Sequence, residues 1–323
     1  MITLSRRQFL CITAGACATA TGRARANAPV RLRSLQLVVP TPPGTQPDLI
    51  ARWLSEPLAQ RAGVPVVVLN RPGAGGAIAA DAVLAAAPET GTLLLGGLDH
   101  VAYAHVTSNR RALDPFVDFV PVGAVNRDTW LLVVPAEHPA RSVRALIDTA
   151  RSAGPLAYPS MGEGTTPHLV TARLCRTLGI DAQAVPYRDS YLPDLLAGRL
   201  QFAVLPTPAV IGQITGGRLR ALASLTDERL PQLDAVPSIR ELGWPDQVFQ
   251  GGLFLFAPAA LGHLATSLNA WLVEALKLPE IAQRYRDASI EPTPLALEQV
   301  RQSVADRLRI SDAMRQQVLG RAR

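Results

Sequence analysis

The sequence predicts an α/β protein of two lobes, each a mainly parallel sheet flanked by helices, with a ligand cleft between them. Three observations predict it. Short apolar runs alternate with Gly/Pro loops and helical patterns. That alternation is played out twice, once before residue 125 and once after it. The chain has 323 residues, too many for one ordinary domain and about right for two.

The first series opens with Leu35-Gln36-Leu37-Val38-Val39, an apolar run closed by Pro40, which reads as a buried strand. A Pro/Gly/Thr loop leads to a helical pattern over Pro47–Ala62, then strand Val66–Leu69, a glycine loop, helix Ala77–Ala86 and strand Thr92–Gly96. A strand over Val120–Val125 leads into Trp130–Val134, which begins the second series. That series runs through helix Val143–Ser152, strand Leu156–Pro159, helix Pro167–Leu178, strand Gln183–Tyr187, helix Tyr191–Leu196 and strands Gln201–Leu205 and Leu219–Leu225. A tail adds strand Leu253–Phe256 and helices near Gly262–Lys277, Pro279–Ala288 and Leu297–Leu319. The expected division is an export segment at 1–26, lobe 1 from 27–125 and 229–323, and lobe 2 from 126–228. The sequence has no evident repeat and no low-complexity linker, so short crossover strands are expected to join the lobes.

Apolar residues make up 48% and charged residues 18% of the chain, the profile of a packed protein rather than a disordered one. The formal charge of +6 suggests nucleic acid at first sight. Arg6, Arg7, Arg23 and Arg25 supply four of those charges within the first 26 residues, which contain no acid. The remaining arginines are dispersed near acids and form no basic stripe, so nucleic-acid binding is not expected.

Ser5-Arg6-Arg7-Gln8-Phe9-Leu10 has the twin-arginine form, followed by a mildly apolar segment and Ala24-Arg25-Ala26. Small residues at −3 and −1 suit signal peptidase, so the expectation is export, cleavage after Ala26 and a periplasmic mature protein starting at Asn27. Cys17 follows Ala14-Gly15-Ala16, a weak lipobox that keeps lipid anchoring as an alternative. Cys175 is then the one cysteine of the mature chain, expected in the core of a helix.

In open α/β sheets ligands bind beyond the C-terminal strand ends, where loops feed helix N-termini. Pro40-Thr41-Pro42-Pro43-Gly44-Thr45-Gln46-Pro47-Asp48 is such a loop. Gly44 lets backbone approach a ligand, Pro47 suits a first helical turn, and the exposed N–H groups of the helix start attract anions. Asp48 is itself anionic and reads as a carboxylate that organises the loop. Ser160-Met161-Gly162-Glu163-Gly164-Thr165-Thr166-Pro167-His168 is a second entrance of the same kind, with His168 as a loop-fixing hydrogen bonder. Its hydroxyls can meet a ligand oxygen or cap the helix. A third loop, Asn70-Arg71-Pro72-Gly73-Ala74-Gly75-Gly76, matches a dinucleotide fingerprint poorly and reads as a tight strand-to-helix turn.

No catalytic pattern accompanies these loops. Tyr158 stands where a nucleophile elbow around Ser160 needs glycine. His100, His105, His138, His168 and His263 form no metal-binding spacing. Neither metal nor cofactor is expected.

Six segments occur in order: Pro42-Pro43-Gly44 with Asp48 and Ala51-Arg52; Asn70 to Gly76; Asp118-Phe119-Val120-Pro121-Val122; Gly162-x-Gly164 with His168-Leu169; Val185-Pro186-Tyr187; and Val236-Pro237-Ser238 with Glu241-Leu242-Gly243. Over nearly all of 35–245 they resemble the solute receptors of tripartite tricarboxylate transporters, the Bug family of periplasmic binding proteins. The resemblance implies a type II-like periplasmic-binding-protein fold that closes around a small di- or tricarboxylate, acidic amino acid or aromatic acid. It implies carboxylate binding by Gly44, Thr45, Gln46 and Asp48 on one lobe and by Gly162, Gly164, Thr165, Thr166 and His168 on the other. Expected partners are the permease subunits of a tripartite transporter or a sensor ectodomain, met by a monomeric receptor. An exported α/β hydrolase is the rival from another class. Four residues depart from the family pattern. Thr45 replaces a glycine and can either restrict the loop or add a donor. Asp189 also replaces a glycine, and is expected either to pair with Arg188 or a ligand amino group, or to be a solvated turn residue. Gly252 stands where an aromatic is common, and Gly262 where a proline is.

Overall fold

The computed structural model describes residues 32–103, 111–187, 190–288 and 290–320. The segment 1–26 with Cys17, and also His105, Arg188 and Asp189, lie outside the described residues. The first series comprises β1 (Leu35–Val39), α1 (Gln46–Ala62), β2 (Val66–Asn70), α2 (Ala77–Leu84), β3 (Thr92–Gly96), the single turn α3 (Asp99–Ala102) and β4 (Phe119–Ala124). The second comprises β5 (Asn126–Pro135), α4 (Val143–Ala153), β6 (Leu156–Ser160), α5 (Thr166–Leu178), β7 (Ala182–Pro186), α6 (Leu192–Leu196), β8 (Ala203–Pro206), α7 (Thr207–Thr215) and β9 (Leu219–Ser224). The tail comprises β10 (Gln250–Gly251), β11 (Phe254–Pro258), α8 (Ala265–Leu276), α9 (Pro279–Asp287), β12 (Glu291–Pro292) and α10 (Leu297–Leu319). No described helix is long and apolar enough to cross a membrane.

Each sheet is mainly parallel, as expected, with one reversed strand that makes it mixed. Lobe 1 has the order β2-β1-β3-β11-β4, with β1 parallel to β2 and β3 but β11 antiparallel to both β3 and β4. In lobe 2, β6 and β7 are parallel, a backbone bond from Gln201 N–H to Ala157 O joins them to the segment entering β8, and β5 runs antiparallel between β8 and β9. The cause lies in the connections. In each lobe the reversed strand is the one that has just crossed from the other lobe, and it enters against the direction of the βαβ strands. Both lobes therefore share one order: second strand, first, third, visitor, fourth. The repeat that the sequence does not display is present in the topology.

Alternation along the strands packs helices on both faces of each sheet. In lobe 1, Leu35, Leu37, Leu93, Leu95 and Leu255 pack with α1 and α8, while Val38, Leu94, Phe254 and Phe256 pack with α2 and with Val300 and Val304 of α10. In lobe 2, Leu132 and Val134 face α4 and α5, where Cys175 is buried, and Leu131 and Val133 face α6 and α7.

Packing also redraws the expected boundary at 228/229. Leu230, Leu233, Ile239, Trp244, Val248 and Phe249 join the lobe 2 cores, and Ile239 N–H bonds back to Ser224 O. α10 belongs to neither lobe alone, because Val300 and Val304 lie in a lobe 1 core and Met314 in a lobe 2 core. The crossovers are the β4–β5 junction and the β10–β11 junction, the latter built on Gly251 and Gly252. A Cβ on Gly252 would stand 2.4 Å from Asn126 O at a φ of +152°, so the aromatic residue common there in the resembled family has no room. At Gly262 a Cβ would stand 3.3 Å from Val120 Cγ2, so β4 crowds that position.

Candidate functional site

Helix-entry loops at the C-terminal ends of β1, β2, β3, β6 and β7 open onto one cavity of about 1700 Å³ between the lobes. Two of these entrances are built alike. Gly44 and Gly164 both sit at a φ of +81°, a left-handed conformation natural to glycine. Thr45 and Thr165 follow in extended conformation as N-caps, and Pro47 and Pro167 take the first turn, where a missing N–H costs nothing. Thr45 Oγ1 donates to Pro42 O and Thr165 Oγ1 to Gly162 O, each at 2.7 Å. Both hydroxyls therefore brace their own loops, and neither caps its helix. Gly44 N–H donates to Asp48 Oδ2 at 2.8 Å, and Gly164 N–H to His168 Nδ1 at 3.2 Å. The motif Gly-Thr-x-Pro-Asp/His is thus one device used twice.

Asp48 is buried behind the first loop and takes hydrogen bonds from Gly44, from Arg52 Nε at 3.1 Å and from Asn70 Nδ2 at 3.0 Å. Burial raises its pKa, but the bonds from Arg52, Gly44 and Asn70 outweigh it and hold the carboxyl below its usual range. Asn70 also donates to Thr41 O, so one asparagine ties the third loop to the first. Burial pushes the His168 pKa down against the pull of Glu163, and a neutral imidazole is what lets Nδ1 accept from Gly164.

Of the residues singled out in sequence, Gly44, Thr45, Gln46, Thr165 and Thr166 line the cavity. Asp48, Gly162, Gly164 and His168 do not line it; Asp48 and His168 each hold the backbone of their loop from behind. Asp189 lies outside the described residues. The third loop turns tightly, as expected, with φ positive at Gly73, Ala74, Gly75 and Gly76, yet it also lines the cavity. Gly76 is required there: a Cβ would stand 2.8 Å from His100 Cδ2 and 3.0 Å from His100 Cα.

Several cavity residues carry no sequence signal. Asp99, just beyond β3, is 7% exposed and accepts the N–H of Thr166 at 3.0 Å from across the cleft. The second helix entrance, expected to be open to an anion, is therefore met by a carboxylate of the opposite lobe. Asp128 and Trp130 of β5 line the cavity, and Arg307 reaches it from α10, its guanidinium over the Phe254 ring at 5.4 Å. Burial pushes the Asp128 carboxyl up to about 6, tempered by Gln46, Arg307 and Trp130. Only the folded topology brings these residues together. Trp53, Tyr187, Tyr191 and Phe249 add aromatic walls. Among the described residues no group of His, Cys, Asp and Glu is arranged to hold a metal.

Residues 50–319 match the family described as "Tripartite tricarboxylate transporter family receptor". Protein BugT of Bordetella pertussis is 32% identical over 283 residues, covering 85% of this chain and 86% of its own. A UPF0065 protein from the tcbD-tcbE intergenic region of a Pseudomonas species is 33% identical over 299 residues, covering 89% and 87%. Among solved structures, R. palustris Rpa4515 with adipate superposes with a TM-score of 0.79 at 30% identity, covering 90% of this chain and 98% of that one. MatC of Rhodopseudomonas palustris with bound malate gives 0.77 at 26%, covering 89% and 100%. A two-lobed α/β architecture with paired helix entrances on one cleft and a family match over most of its length make this chain a member of the tripartite tricarboxylate transporter receptor family, whose members are solute-binding proteins and not enzymes.

Proposed function

We propose that the protein is a periplasmic receptor that captures a small carboxylate between its lobes and delivers it to the membrane subunits of a tripartite transporter. One observation carries the reading: two Gly-Thr-x-Pro helix entrances of the same build, one per lobe, face the same cavity, and that of α1 is left open to an anion. Helix N-termini concentrate unpaired N–H groups and the positive end of the dipole, and so suit anions. The entrance of α1 is the open one, since Thr166 at the start of α5 is paired with Asp99. Adipate and malate in the two R. palustris relatives support the ligand class. The cavity exceeds what a small acid fills, leaving room for bridging waters, which cost little and let related acids fit.

In this reading the segment 1–26 directs export and is removed after Ala26, and the mature receptor works as a monomer. Gly44, Thr45, Gln46, Thr165 and Thr166 form the wall, with Asp48, Gly162, Gly164 and His168 as its support. Capture stabilises the closed form only through its extra affinity for that form.

The test is a thermal-shift panel of mono-, di- and tricarboxylates on the mature protein. A binding acid raises Tm according to RT ln(1 + [L]/Kd). A flat panel, together with no acid among molecules released from the freshly purified protein by mass spectrometry, refutes the reading. Mass determination of the protein recovered from periplasm checks cleavage before Asn27 and any lipid on Cys17.

A further inference from the structure

Where the chain crosses between lobes, three polar groups lie near one another without closing hydrogen bonds of normal geometry. Asp128 and Trp130 project from the first half of β5, each 4% exposed, and Gln46 opens α1. All three line the cavity. Asp128 Oδ1, Trp130 Nε1 and Gln46 Nε2 are buried; Gln46 and Trp130 lie close enough to the Asp128 carboxylate to temper its charge, but none of the three atoms closes a hydrogen bond of normal geometry among the described residues. Asp128 Oδ1 and Trp130 Nε1 crowd Gly251, where a Cβ would stand 2.3 Å from each. Buried polar atoms in native proteins are paired, so an acceptor and two donors left open on a cavity wall need an outside partner.

The chemistry of that partner follows from the charges around it. Asp99 already receives Thr166 N–H, and Asp306 receives Gln302 Nε2 and Arg309, so Asp128 is the lining carboxylate with an open buried oxygen. Arg307 is the cation nearest this floor, but it donates to Gln250 O and lies over Phe254. An anion buried without a contacting cation attracts one, and repels a second carboxylate brought beside it. The two N–H donors and the adjoining α1 entrance suit a carboxylate.

We propose that Asp128, Trp130 and Gln46 form a head-group subsite for an α-amino acid: Asp128 Oδ1 receives the ligand ammonium, while Gln46 Nε2 and Trp130 Nε1 donate to its carboxylate at the start of α1. This rests on the reading of the cleft as a carboxylate receptor and narrows it. A plain dicarboxylate meets like charge at this floor, and a hydroxy acid meets an acceptor but brings no cation.

The test is isothermal titration of the mature protein, stripped of bound solute, with L-amino acids and their matched counterparts in which hydrogen or hydroxyl replaces the amino group. L-Aspartate, succinate and L-malate form one such set; L-phenylalanine, 3-phenylpropionate and 3-phenyllactate form another. At least one L-amino acid is expected to bind at least about tenfold more tightly than both of its counterparts. Asp128→Asn, nearly isosteric and without the buried charge, is expected to bring that ratio close to one. Counterparts binding as tightly as the amino acids in wild type overturn the subsite, and so does a preference that survives in Asp128→Asn. Counterparts that bind while amino acids do not overturn the subsite but leave the carboxylate receptor standing. Silence of every acid overturns both.

Discussion

Asp48 shows how a single carboxylate shapes a cavity-lining loop without facing the cavity. Its oxygens receive Gly44, Arg52 and Asn70, so Asp48→Ala strands two buried or half-buried donors and releases the left-handed glycine. The expected loss is about 2–4 kcal/mol of unfolding free energy, read from urea denaturation. Because the folded pKa of Asp48 is depressed, its contribution is present at neutral pH and is lost as pH falls through that depressed value, below the ordinary 3.8. Asp128 has the opposite sign. Its folded pKa of about 6 exceeds the ordinary 3.8, so its ionisation penalises the fold above pH 6, and the penalty fades as pH falls toward 4. Asp128→Asn is therefore expected to stabilise the ligand-free protein by about 2–3 kcal/mol at pH 7.5 and by almost nothing at pH 4. Taking the difference between variant and wild type cancels His138 and His168, whose burial-lowered pKa values pull stability down across the same range.

At the scale of elements, the glycine loops were legible because their backbone demands are written in residue types. Gly44 and Gly164 before Thr-x-Pro fix both the left-handed turn and the helix start, so the two entrances could be located from the chain alone. Gly76→Ala tests the third loop: at φ +100° and against His100, the added methyl is expected to cost about 2 kcal/mol or more in a urea titration, with weaker binding of any cleft ligand. Other elements hid for physical reasons. α7, Thr207-Pro208-Ala209-Val210-Ile211-Gly212-Gln213-Ile214-Thr215, is apolar and β-branched and carries a central glycine, so its sequence lacks a helical stripe. The one reversed strand of each sheet also escaped, because apolar alternation is the same whichever way a strand enters a sheet. Asp99, Asp128 and Arg307 come from a β3 loop, a crossing strand and the C-terminal helix, and no spacing along the chain relates them.

In the whole molecule the lobes touch through Asp99 and Thr166, while α10 packs into both. A charge-assisted hydrogen bond to a helix N-terminus contributes about 1.5–3 kcal/mol. Asp99→Ala is therefore expected to move the ligand-free ensemble toward open forms, seen as a larger radius of gyration in small-angle X-ray scattering, with an unchanged urea m-value. An unaltered scattering curve would mean that α10 and the crossing strands alone hold the lobes together.

The same carboxylate gives the cleft a direction. Two matched helix entrances, taken by themselves, form a socket that a molecule with identical ends enters either way round. With Asp99 seated at the start of α5, only the start of α1 is left for an incoming acid group. In the proposed reading a guest then lies head toward lobe 1 and tail toward lobe 2, so that the two ends of the cargo are told apart before anything in between is read.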